Sequence, residues 1–124
     1  MSTDNRAVFE GFVDLFSTQK RVADAFAAAV SDDYRQHKPA ISDGPAAAIE
    51  MLTPKFDGSP DARFDVRRIL VDGDLAMVHV KASRPGAADA AVADISRFED
   101  GRIVEHWDVL QQVPVHAVHD HPMF

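Results

Sequence analysis

The chain has 124 residues, enough for one domain of ordinary size and too few for two. Its formal charge of −7 and pI near 5.2 exclude a broad phosphate-binding face, so nucleic acid is not an expected partner. With no cysteine it has no disulfide, no thiolate metal site and no cysteine nucleophile.

The opening Met1-Ser2-Thr3-Asp4-Asn5 lacks the basic start and apolar run of a signal peptide. The longest apolar stretch, around Phe26 to Val30, is too short to cross a bilayer. A soluble cytoplasmic protein is expected, with no membrane partner. Asp4 or Asn5 can cap a first helix, in which Val8, Phe9, Phe12, Val13, Leu15 and Phe16 form a wide apolar stripe. The spacing of Val22, Phe26 and Val30 predicts a second helix over 19–30, ended by Ser31-Asp32-Asp33. Tyr34 to His37 reads as extended, because Pro39 disfavours helix at Lys38. Gly44-Pro45 opens a third helix carrying Ala47, Ile49, Met51 and Leu52, and 55–61 reads as a loop.

From Phe64 the apolar period drops from about 3.6 to 2. Phe64, Val66, Arg68 and Leu70 alternate with Asp65, Arg67, Ile69 and Val71. Asp72-Gly73 predicts a tight hairpin into a strand over 75–82, and Asp100-Gly101 a second one between strands over 90–98 and 103–112. Helices followed by a four-stranded antiparallel meander make an α+β domain spanning 1–124, with 114–124 as an extended tail. A curved sheet of this kind wraps the helices and leaves a cavity at its open end. The tail holds His116, His119 and His121, whose spacing matches no closed metal site, so no metal is expected.

Two segments resemble a known family. Tyr34-Arg35-Gln36-His37-Lys38-Pro39 with Asp43-Gly44 is similar to the "Y-x-Q-H-N-P … D-G" segment of SnoaL-like proteins. The run Asp94-Ile95-Ser96-Arg97-Phe98 through Gly101-Arg102-Ile103-Val104-Glu105-His106-Trp107-Asp108-Val109-Leu110-Gln111 resembles their "D-I-F-R-x-x-x-G-K-I-V-E-H-W-D-V-x-Q". The resemblance implies the NTF2-like cone, helices packed in a curved and mostly antiparallel sheet. It also implies a homodimer formed through the outer sheet face, and a pocket for a small apolar molecule that works without a cofactor. Polyketide cyclases that catalyse aldol ring closure belong to this family. Their acid/base aspartate falls close to Gln111 here, and an amide cannot take that role.

A plain two-residue turn at Asp100-Gly101 sets an expected register: Glu99 with Arg102, Phe98 with Ile103, Ser96 with Glu105, Asp94 with Trp107, and Val92 with Val109. Asp94, Glu105, Trp107 and Gln111 then share the pocket face, while Arg97, His106 and Asp108 share the outer face. A carboxylate set beside an aromatic ring among apolar neighbours suits proton transfer at carbon next to a carbonyl. Such chemistry also needs a donor for the developing enolate, and His37, His79 and Tyr34 are candidates. Asp94, His37 and His79 are therefore the expected catalytic residues. Tyr34, Trp107, Gln111 and Glu105 are expected to contact the ligand. The enzymatic reading is a lyase or isomerase acting on a small apolar carbonyl compound, and the alternative is a binding module of the same fold that turns nothing over.

Overall fold

The computed structural model describes residues 4–124; Met1-Ser2-Thr3, part of the opening segment read above, lies outside them. The chain runs α1 (Asn5–Val13), a π-helical turn (Asp14–Thr18), α2 (Val22–Ala29), β1 (Val30–Gln36), α3 (Pro45–Asp57), β2 (Arg63–Asp72), β3 (Leu75–Ser83), β4 (Ala90–Glu99) and β5 (Arg102–Gln112). The fold is α+β, three helices packed against one five-stranded mixed sheet. No helix among the described residues is long and apolar enough to cross a membrane.

Asp4 caps α1 by accepting the Ala7 N–H at 3.1 Å. The apolar stripe of α1 continues through the π turn, whose extra residue per turn keeps Phe16 aligned with Phe12 at 5.6 Å between ring centroids. Lys20 closes this segment in the left-handed region, φ 56°, and its ammonium donates to the Pro60 and Ala62 carbonyls at 2.9 and 2.7 Å. Helix α2 is shorter than its apolar spacing predicted, because Val30 already belongs to β1. Helix α3 starts at Pro45 as expected and runs on to Asp57, so the predicted loop begins later.

The sheet order is β1-β5-β4-β3-β2, with β1 parallel to β5 and every other pair antiparallel. The expected meander is thus extended by a fifth strand, β1, where the sequence predicts a helix end and a short extended run. The β2–β3 register pairs Asp72 with Leu75, so Gly73-Asp74 rather than Asp72-Gly73 forms the loop centre, with φ +62° at Gly73. Asp100 and Gly101 both have positive φ, 50° and 77°, as a primed hairpin turn needs.

Two β-bulges decide which side chains face the helices. In β2 the pairing steps from Val66↔Val80 to Arg68↔His79, so Arg67 is the extra residue. Phe64 and Val66 pack inward before it, Ile69 and Val71 after it. In β5 the pairing steps from Phe98↔Ile103 to Arg97↔Glu105, so Val104 is extra. A single inserted residue reverses the alternation beyond it, because side chains along a strand repeat every second residue. The core between helices and sheet is centred on Phe9 and Ile103, both essentially without solvent exposure.

Candidate functional site

Between the helices and the inner sheet face lies a cavity of about 190 Å³. Its helical wall is aromatic: Phe9, Phe12, Phe16, Phe26 and Phe56, joined by Phe64 from β2. These rings pack on one another at 5.0–5.7 Å across the Phe56–Phe64, Phe16–Phe56 and Phe12–Phe26 pairs. The sheet wall carries the polar groups, and they come from three adjacent strands.

The bulge at Val104 builds this polar wall. It turns His106, Asp108 and Leu110 into the cavity and sets Ser96 opposite His106 and Asp94 opposite Asp108. From the other side, β1 pairs Gln36 with His106 in its parallel ladder and brings Tyr34 onto the same face. Asp94 and Asp108 stand directly opposite each other, which two carboxylates tolerate only with positive charge between or upon them. His106 Nε2 meets Asp94 Oδ1 at 2.9 Å, and the Lys38 ammonium donates to Asp108 Oδ2 at 2.8 Å.

Hydrogen bonding fixes the imidazole. Gln36 Oε1 accepts the Lys38 backbone N–H at 3.0 Å and faces His106 Nδ1 at 2.8 Å, so Nδ1 carries a hydrogen and donates it. Nε2, on the other side of the ring, is thereby aimed at Asp94 Oδ1. Gln36 Nε2 donates to the Tyr34 hydroxyl oxygen at 3.3 Å, leaving the phenol proton free to point into the cavity. Burial, reinforced by the charges of Asp94 and Asp108 and opposed by the Gln36 hydrogen bond, holds the Tyr34 hydroxyl well above the usual phenol range. Tyr34 is therefore a neutral donor at any ordinary pH.

Donor atoms of Asp94, His106 and Asp108 lie within 4.8 Å of one another, close enough to share a cation. The Lys38 ammonium already supplies positive charge at Asp108.

The expected site residues divide between the two sheet faces. Asp94 and Tyr34 line the cavity. Asp94 faces Asp108 and His106 there rather than Trp107, because the bulge moves Trp107 opposite Ile95. Glu105 and Trp107 lie on the outer face. Glu105 accepts from Arg97 Nε at 2.8 Å and meets His37 Nε2 at 2.6 Å. Those two partners, Arg97 first, hold its carboxyl below the usual range. His37 is thus outside the cavity, its ring stacked on Trp107 at 4.8 Å. His79 also faces outward, between the inward Val78 and Val80, and bonds Arg68 through Nδ1 at 2.9 Å. Gln111 is exposed, paired with Ala91 and outside the cavity lining. Asp108 is the last-strand aspartate that reaches the interior.

The cavity lining also includes Gln36, Lys38, His106 and Asp108, which the sequence does not single out as candidates. One signal was available: Ile103-Val104 is a pair of adjacent apolar residues where a plain alternating strand would place one inside and one outside, and both are buried.

The sequence model of the SnoaL-like domain family matches residues 9–106. Among curated proteins none matches the sequence. The fold is similar to a SnoaL-like polyketide cyclase from Agrobacterium tumefaciens, with TM-score 0.70 and 18% identity over 90% of this chain and 93% of that one. It is also similar to a loop-truncation variant of IdmH, with TM-score 0.68 and 20% identity over 86% of this chain and 92% of that one. A third likeness is to TsrD from Streptomyces laurentii, with TM-score 0.67 and 17% identity over 85% and 86% of the two chains. Identities this low establish a common fold and no shared chemistry.

Proposed function

Because this chain belongs to the SnoaL-like domain family, we propose that its cavity moves a proton beside a carbonyl group without a cofactor, as an isomerase or aldol-type lyase does. The observation that carries this reading is the Asp94–His106 pair, at 2.9 Å, set into an apolar cavity beside the Tyr34 hydroxyl.

Asp94, steadied on Oδ1 by the His106 N–H, takes a proton from the carbon next to the carbonyl on its second oxygen. The electron pair of that C–H bond moves into an enolate, whose oxygen accepts a hydrogen bond from Tyr34. Asp94 returns the proton to another carbon in an isomerisation. In an aldol closure the enolate carbon attacks a second carbonyl carbon instead, and Asp94 gives its proton to the alkoxide oxygen that forms. Gln36 positions both partners, fixing the imidazole by one amide atom and the phenol by the other. Asp108 and Lys38 neutralise each other beside them, so the wall gains hydrogen-bonding capacity without a large net charge.

The test is exchange of α-protons with deuterated solvent, followed by NMR for a panel of small cyclic ketones. Wild-type protein is expected to exchange a bound ketone, and Asp94→Asn to lower that rate by about 100-fold or more. Exchange untouched by Asp94→Asn removes the mechanism. Binding without any exchange selects the alternative, a small-molecule-binding module.

The reading includes a homodimer through the outer sheet face. Leu70 on β2, Leu75 on β3 and Val109 on β5, next to Trp107, stand on that face 57%, 45% and 67% exposed in the single chain. Apolar residues grouped on a flat strand surface are the kind that a second copy covers.

A further inference from the structure

Resting on that reading, we infer that the ligand is an uncharged carbonyl compound of one ring or two fused rings, and that neither a larger polycycle nor a carboxylate or phosphate ester enters the cavity.

Volume sets the first limit. A dry apolar cavity of about 150 Å³ is filled by benzene. On that scale the 190 Å³ here holds about eight non-hydrogen atoms, close to one ring or a small fused pair, and pockets for drug-sized ligands start at about 300 Å³. Expansion is resisted because the helical wall is a continuous set of packed rings. Phe16 contacts Phe12, Phe26 and Phe56 at once, at 5.6, 6.2 and 5.3 Å. Moving one ring costs contacts with all three.

Shape comes next. Aromatic rings line one wall and the sheet the other, and a planar ring can pack its faces and edges against the phenylalanines. Ring edges and faces also suit the edge-on arrangements these phenylalanines already adopt among themselves.

Charge sets the third limit. Asp94 and Asp108 both face the cavity, and the one ammonium on this wall is already bonded to Asp108. A carboxylate or phosphate brought against Asp94 meets like charge in a poorly solvated space, with no free cation among the described lining residues to offset it. A ketone needs only the Tyr34 proton, and a ring hydroxyl can donate to a carboxylate.

The experiment measures binding to the intact protein by calorimetry for three probes: 1-indanone (two fused rings), anthrone (three fused rings) and indane-1-carboxylate (two fused rings with an anion). In parallel, exchange with deuterated solvent is followed at the α-methylene of 1-indanone and at the C10 methylene of anthrone, whose proton is lost by enolisation through the ring. Indanone is expected to bind at least about tenfold more tightly than either of the other two. Phe16→Ala, which removes the ring joining three others, is expected to narrow the indanone–anthrone gap by about tenfold. Phe16→Leu keeps the wall aliphatic and should move the gap the same way by less. Anthrone or the carboxylate binding as tightly as indanone overturns the inference, and so does the failure of all three to bind. Indanone binding in the expected order without exchange keeps this ligand class and sinks the proton-transfer reading. Exchange on a preferred anthrone does the reverse.

Discussion

Tyr34 is the only tyrosine in the chain, so its ionisation can be followed alone through phenolate absorbance. In an unfolded chain a phenol ionises near pH 10. In the folded protein burial and the two nearby aspartates hold it higher. Its contribution to stability is therefore complete below about pH 10 and is lost as pH rises toward the folded value. The expected record is a native protein that shows no phenolate signal until it unfolds, with Tyr34→Phe less sensitive to alkali. Glu105 gives the opposite case. Arg97 and His37 lower its folded value, so its contribution is present at neutral pH and fades as pH falls below about 4. Glu105→Gln should unfold at lower urea than wild type at pH 7, and the gap should close in acid. A gap unchanged by acid rules out the ionised carboxylate as its source.

At the scale of elements, the bulge in β5 does more for the site than any one side chain. It leaves Ile103 and Val104 both buried, then turns His106 and Asp108 inward and sends Glu105 and Trp107 out. Deleting Val104 removes the extra residue but leaves Phe98 opposite Ile103 and Arg97 opposite Glu105, so every side chain to Gln112 keeps its face. What is lost is the buried Val104 side chain, and in urea titration we expect cooperative unfolding with stability lower by about 1.5–3 kcal/mol. The bulge in β2 works in the same way for packing, exchanging Phe64 and Val66 for Ile69 and Val71 on the inner face. The π turn serves the helical side by carrying Phe16 into line with Phe12 and Phe56.

For the whole molecule, the two faces of one sheet divide the work between an enclosed cavity and an exposed apolar surface. The proposed dimer predicts twice the chain mass in sedimentation equilibrium at micromolar concentration. Val109→Asp, which puts charge at the centre of that surface, should raise the dissociation constant by about tenfold or more while leaving ligand binding in the monomer intact. Trp107, the only tryptophan, reports the same event by fluorescence, since it sits on the outer face stacked on His37. A monomer at all concentrations would return this face to solvent.

Much of the architecture was legible because it depends on local periodicity. The change of apolar period at Phe64, the Asp100-Gly101 turn and the stripe from Val8 to Phe16 each state their element within a few residues, and the motifs at Tyr34 and Asp94 marked the family. The turn register puts Asp94 on the cavity side, and the motif singles out Tyr34. The same register also puts Glu105, Trp107 and Gln111 inside and His106 and Asp108 outside, the reverse of what the structure shows, and the cause is one residue of register. The places of Gln36, His37, Lys38 and His79 depend on how β1 and β3 pair, which no local pattern states. A turn fixes the first pairs of a hairpin, but whether the ladder then runs straight or bulges depends on how Ile103 and Val104 are both buried between β1, β4 and the helices. That choice is made by packing between distant segments, and only the folded chain makes it.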